Sequence, residues 1–265
     1  MPTDPQPDLS VSPTSAEPGP IKSNLVAPIW HTIVVVALVL GNSLWTAWFT
    51  SQVGPKSVAV TENARIVQYA ATIFLELFLL LVVWIGLRLK QTKLRELIGG
   101  RWDNVEAFLL DVAIAIAFWV VAYGTIVGLS YAFGLAKASQ IGEAKKLAGM
   151  LAPHTWLGLL IFIALSNVAG FVEEVLFRGY LQRQITAISG NIYVGLIVSA
   201  VIFGAGHGYE GSRRMVLIVI LGLMFGLLAR WCKSLRPGMI GHAFFDSFQG
   251  VLLFVATRLG ILSGQ

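Results

Sequence analysis

Charge is scarce in this chain. Of its 265 residues only 12% are Asp, Glu, Lys or Arg, about half the share usual in soluble domains. A water-exposed surface needs more charge than that to stay dispersed, which excludes a soluble globular protein, a disordered hub and a nucleic-acid binder. Cysteine is almost missing too. The lone Cys232 rules out an internal disulfide framework and a multi-Cys zinc site. No basic start stands directly before a short apolar stretch with a small-residue cleavage site, so a signal peptide is not expected. The 19 Lys and Arg residues, which leave a net charge of +5, are spread between apolar runs. That distribution suits loops beside anionic lipid better than a groove for phosphates.

Apolar residues are abundant, at 56% of the chain with a mean hydropathy of +0.75. The fold class this implies is all-α, a polytopic bundle of about seven to eight transmembrane helices. A span needs about 20 mostly apolar residues, because every backbone polar group must be satisfied internally. Windows of that kind fall at 28–49, 66–88, 107–133, 156–185, 190–208, 214–231 and 238–258. The sixth has only 15 uncharged residues between Arg214 and Arg230, so its arginines are expected to snorkel. A break near Gly170 would split the fourth and bring the total to eight.

Six of the ten prolines lie in the first 20 residues, and 1–27 reads as a disordered N-terminal tail. The expected organisation is that tail, N-terminal transmembrane helices over 28–135, and a catalytic transmembrane unit over 155–258. Between the two units, Lys137–Ala152 sets Lys137, Lys145 and Lys146 against Leu135, Ile141, Leu147 and Met150. That stretch is either an amphipathic interfacial helix or a solvated loop. The densest basic stretch, Arg88, Lys90, Lys93, Arg95 and Arg101, places the loop after span two, and with it the N-terminus, in the cytoplasm. In a bacterium the chain belongs in the cell membrane. No internal repeat suggests a transporter's inverted halves.

An ionised side chain at mid-bilayer costs about 2.5–3.5 kcal/mol even on lenient scales, so those that persist need a partner or a task. They collect in the last half. Glu173-Glu174-Val175-Leu176-Phe177-Arg178 follows the 17 uncharged residues Trp156–Val172. Glu174 and Arg178 share a helix face and can pair, while Glu173, turned about 100° away, is left to act as a base. The plainer alternative is the aqueous end of span four. Next come Phe203 and His207. Glu173 and His207 each lie 17 residues from Gly190, the expected turn, so a helical hairpin brings them level with room for a water between them. Finally His242 and Asp246 are four apart in span seven. They form a self-satisfying pair, an oxyanion-stabilising pair, or a metal ligand with its supporting partner. Counting along straight helices leaves His242 nearer the opposite end from His207. A dipping loop at Gly208–Ser212, or a broken span, would reconcile them.

Glu-Glu-x-x-x-Arg, Phe-x-x-x-His and His-x-x-x-Asp, in that order on successive apolar segments, resemble the CPBP family of intramembrane proteases. These are the type II CAAX prenyl endopeptidases and the related bacteriocin-processing and self-immunity proteins. The resemblance covers about residues 155–255. It implies that Glu173, with His207, activates water. Glu174 and Arg178 set the geometry, and His242 stabilises the tetrahedral oxyanion. Asp246 stands where many members carry asparagine, which removes a donor and puts a direct oxyanion contact from Asp246 in doubt. The implied activity is hydrolysis of a peptide bond near the C-terminus of a membrane-associated or prenylated protein. The implied partners are a lipidated or membrane-embedded substrate and the bilayer.

The family is commonly labelled metalloprotease, and zinc, if bound, would fall to Glu173, His207 and His242. H-E-x-x-H is absent, and the same residues suffice for a metal-free glutamate mechanism, the reading preferred here. Self-immunity to a bacteriocin on the same fold, or a proton-coupled transporter using a Glu–His–Arg relay, are the alternative functions. Glu76 and Asp111 could line a cavity, but an interfacial or neutral state is the plainer reading. His31 and His154 sit at span ends. Trp45, Trp48, Trp102, Trp156 and Trp231 read as interfacial anchors.

Overall fold

The computed structural model of the protein describes residues 25–53, 61–134, 145, 148–149 and 151–262. The proline-rich stretch up to residue 24 and most of Lys137–Ala152 lie outside the described residues. Among the described residues every regular element is helical. The helices are α1 (Ile29–Val53), α2 (Glu62–Leu89), α3 (Leu94–Ile98) and α4 (Val105–Ala132). They are followed by α5 (Trp156–Ser189), α6 (Ile192–Gly206), α7 (Ser212–Cys232) and α8 (Arg236–Arg258).

Local chemistry sets the boundaries. The side chains of Thr61, Asn104, Thr155 and Asn191 each accept a hydrogen bond from a first-turn amide and so open α2, α4, α5 and α6. Gly190, at φ +67, closes α5 with the left-handed residue a tight helical hairpin needs. Six helices are long and apolar enough to cross a membrane, and the chain is an integral, multi-pass membrane protein. All seven expected windows are helical. The fifth, α6, has only 15 residues, about 22 Å of rise, which is short of the hydrocarbon thickness. It ends at His207, and a 3-10 turn over Gly208–Glu210 leads into α7.

The fourth window is not broken at Gly170. Helix α5 runs unbroken from Trp156 to Ser189, and its irregularity lies further on, where Glu174–Leu181 is π-helical. All eight residues of that segment are buried. Val175, Leu176, Phe177, Tyr180 and Leu181 form the centre of the main apolar cluster, with Val35 and Val39 of α1, Val83 and Leu87 of α2, and Leu97 and Leu235 around them. Helix α5 packs along both α8 and α2. At Gly170 a Cβ would stand 2.6 Å from the Ala243 amide nitrogen, so only glycine allows this approach of α5 to α8.

Buried polar contacts fasten α1 to this core. His31 lies three residues into α1 but is buried, not simply terminal. Its Nδ1 is 2.8 Å from the Tyr180 hydroxyl and its Nε2 2.9 Å from the Val82 carbonyl oxygen. Gln184 receives hydrogen bonds from the Val26 and Ala27 amides and donates to the Ala27 carbonyl. The five tryptophans named above are all exposed. They fall in the last turns of α1, before α4, at the start of α5 and at the end of α7.

Candidate active site between α5, α6 and α8

The site has an inner and an outer tier. Glu174 anchors the inner one, where its side chain is 0% exposed and stands 3.1 Å from Arg178 Nη1. The guanidinium lies 4.4 Å from the centroid of the Phe203 ring and donates from Nη2 to the Gly222 carbonyl. An arginine so enclosed needs a carboxylate, aromatic faces and carbonyls around it to offset its lost hydration. His242 completes the tier, stacked on Phe225 with its Nδ1 3.3 Å from Glu174 Oε1. Helix α8 comes this close because Gly238 faces Glu174, where a Cβ would sit 3.0 Å from Oε2.

His242 also reaches the outer tier. Its Nε2 is 3.5 Å from Glu173 Oε2 and 3.6 Å from Asp246 Oδ2, ion-pair distances rather than good hydrogen bonds. These carboxylates are more open, with side chains 14% and 36% exposed. His207 caps α6, and its Nδ1 lies 2.9 Å from the Phe203 carbonyl oxygen. A carbonyl only accepts, so Nδ1 carries a proton, and in the neutral ring the lone pair lies on Nε2. Among the described residues no hydrogen bond or ion pair joins His207 to Glu173. Glu173 does lie within charge-interaction range of Tyr209 and Glu210, the residues just after His207. Burial pushes the Glu210 carboxyl above its usual range, and the charges of His207 and Arg214 act against that rise.

Glu173, Glu174, Arg178, His242 and Asp246 are thus drawn together, with His207 beside them. The depth conflict is resolved by unequal turns. Arg183 of α5 donates to the Leu97 carbonyl and the Leu235 amide to that of Ile98, so α5 is already level with the start of α8 six residues before it ends. The α5–α6 turn therefore projects beyond the α7–α8 turn. His242 then meets Phe203, at 6.1 Å between ring centroids. Asp246, one turn further along α8, reaches the level of His207, whose charge it feels.

One feature escaped the sequence, and another was named there only as a residue that could line a cavity. The π-helical segment carries both Glu174 and Arg178. An i,i+4 pair reads the same in an α-helix, so the spacing gave no warning. Glu76 is the other. It is not interfacial but lies midway along α2, 8% exposed, within charge range of Glu173, His242 and Asp246. Its only signal was a lone carboxylate in an otherwise apolar span. Asp111, in contrast, is bound at the edge of the bundle by Arg236, 2.9 Å away, and by the Trp102 indole N–H.

For zinc the residues at issue are Glu173, His207 and His242. Glu173 and Asp246 both face Nε2 of His242, and Glu174 faces its Nδ1. Among the described residues no group of three His, Cys, Asp or Glu side chains is arranged to hold a metal ion.

Residues 154–248 match the model of the type II CAAX prenyl endopeptidase Rce1-like family. This segment is similar to Rce1-like domains. It contains every residue of both tiers, and the family is one of membrane-embedded proteases. The chain is also similar to the uncharacterized protein YpbD of Bacillus subtilis, 31% identical over 90 residues. That match covers 33% of this chain and 42% of YpbD, so it spans less than half of either protein. No solved structure matches the chain. Outside the matched segment, α2 contributes Glu76 to the surroundings of the site.

Proposed function

We propose that the protein is an intramembrane endopeptidase that cleaves near the C-terminus of a membrane-associated or prenylated protein. The observation that carries this reading is the unequal treatment of the two adjacent glutamates. Glu174 is committed to Arg178 and to His242 Nδ1. Glu173 faces only His242 Nε2 and the more open tier. A base needs freedom to take a proton, and its neighbour needs rigidity to hold the geometry.

In this mechanism a water lies between Glu173 and Nε2 of His207, two acceptors that polarise it together. Glu173 takes its proton, and the hydroxide attacks the scissile carbonyl. The oxyanion is stabilised by the Nε2–H of His242, whose Nδ1 is fixed by Glu174. Asp246, as an acceptor, orients His242 and does not itself donate to the oxyanion. None of these steps uses a metal. A groove of about 400 Å³ between α5 and α8, lined by Asn167, Phe171, Met239, Ala243, Phe244 and Ser247, lies on the helices that carry Glu173 and His242. It offers a lipid-borne substrate a lateral approach. The N-terminus is cytoplasmic in this reading, set by the basic loop after α2.

The test is incubation of detergent-purified protein with a farnesylated C-a-a-X peptide, with products identified by mass spectrometry. A cut near the peptide's C-terminus supports the reading. Intact peptide, together with intact membrane-anchored peptides lacking the prenyl group, contradicts it.

A further inference from the structure

Glu76, like Glu210 on the 3-10 turn, is a carboxyl near the site that the mechanism above leaves unused. It sits on α2, which packs against α5. Its Oε2 is buried and has no hydrogen-bond partner among the described residues. Within charge-interaction range of it lie Glu173 from α5, His242 and Asp246 from α8, and Tyr209 from the 3-10 turn. The other carboxyls near His242 are all engaged. Glu174 has Arg178 and Nδ1, while Glu173 and Asp246 share Nε2. Glu76 has no ion-pair partner among the described residues.

Peptide hydrolysis needs two proton transfers, one from the attacking water and one to the departing amine, whose anion is far too basic to leave unaided. Sites that run both at once use carboxyls in contrasting surroundings, one more buried and apolar and one more open and polar. Glu173 and Glu76 form such a contrast, contributed from two helices to one cluster.

We infer that Glu76 is the acid that protonates the leaving amine. The water oxygen bonds to the acyl carbon as its proton passes to Glu173. The C–N bond then breaks, and the nitrogen's electron pair takes the proton of the Glu76 carboxyl. The proton held by Glu173 returns to Glu76 through the next water to enter, so the cycle consumes water alone. The N-terminal helices thereby supply a catalytic group to a site otherwise built within 154–248.

This inference rests on the peptidase reading, and the experiment separates the two. Full-length wild type and Glu76→Gln are compared on one acyl peptide, presented as the ordinary amide and as its p-nitrophenyl ester, whose leaving anion needs no proton. The expected result is a loss of about 10²-fold or more on the amide, ester hydrolysis within about threefold of wild type, and loss of the basic limb of the amide pH profile. Ester hydrolysis also certifies the fold. Glu76→Met, an apolar chain of similar length, replaces the Gln variant if that one does not fold. Unchanged amide cleavage, or equal losses on both substrates in a folded variant, overturns the role of Glu76 and leaves the peptidase intact. Wild type that cleaves neither substrate overturns the peptidase reading, and the inference with it.

Discussion

Glu173 and Glu174 are neighbours in the chain, yet the two tiers they belong to are built on opposite principles. The inner tier, Glu174, Arg178 and His242, is closed off by Phe203 and Phe225, and its charges are matched one against another. The outer tier, Glu173, His207 and Asp246, is more open and incompletely paired. Buried ion pairs are poor sources of stability but good sources of fixed geometry, because breaking one strands its partner. Incomplete pairing costs order and leaves groups free to exchange protons. His242 has one nitrogen in each tier, so the closed half can orient the open one.

This contrast predicts that substitutions sort by tier. Glu174→Gln leaves the Arg178 guanidinium without its counter-charge, at a cost of about 3–5 kcal/mol. Thermal unfolding in detergent is expected to show a large fall in midpoint, with activity lost alongside. A midpoint equal to wild type would contradict the structural role of the inner tier. His207→Ala removes an outer-tier group and is expected to lower kcat/KM by about 10²–10⁴-fold with little change in midpoint. His31→Phe lies outside both tiers and deprives the Tyr180 hydroxyl and the Val82 carbonyl of a partner, for about 1–3 kcal/mol. Its rate per folded molecule is expected to match wild type, and a selective rate loss would mean that the α1 contacts reach the chemistry. The smallest effect is expected for Asp246→Asn. The amide keeps one acceptor oxygen and adds donors, so activity should stay within about tenfold of wild type, and collapse would show that the carboxylate itself is needed.

Much of this site is legible in the amino-acid sequence. Spans show in hydropathy because lipid forces long apolar runs, and charges within them stand out because they are costly. The pairing of Glu174 with Arg178 follows from helical spacing alone. Depth does not, since a sequence marks where α5 turns at Gly190 but not that this turn projects past the one before α8. The same limit hides the direct approach of Glu173 to His242, which counting along straight helices sets near opposite ends. The contribution of Glu76 is hidden for a related reason. Its meaning comes from α2 lying against α5, a tertiary fact with no local signature. The π-helical turns at Glu174–Leu181 are common at functional sites, but here they preserve an α-like spacing and leave no trace in the pattern.

The central claim is that Glu173 does chemistry while its neighbour does structure. Its most direct test is cleavage of the farnesylated C-a-a-X peptide by wild type beside Glu173→Gln, with the unfolding midpoint of each measured in the same detergent. The account predicts cleavage by wild type only and matching midpoints, since the two side chains are nearly isosteric and Glu173 holds no buried ion pair with an arginine or lysine. Equal cleavage by both proteins would contradict it.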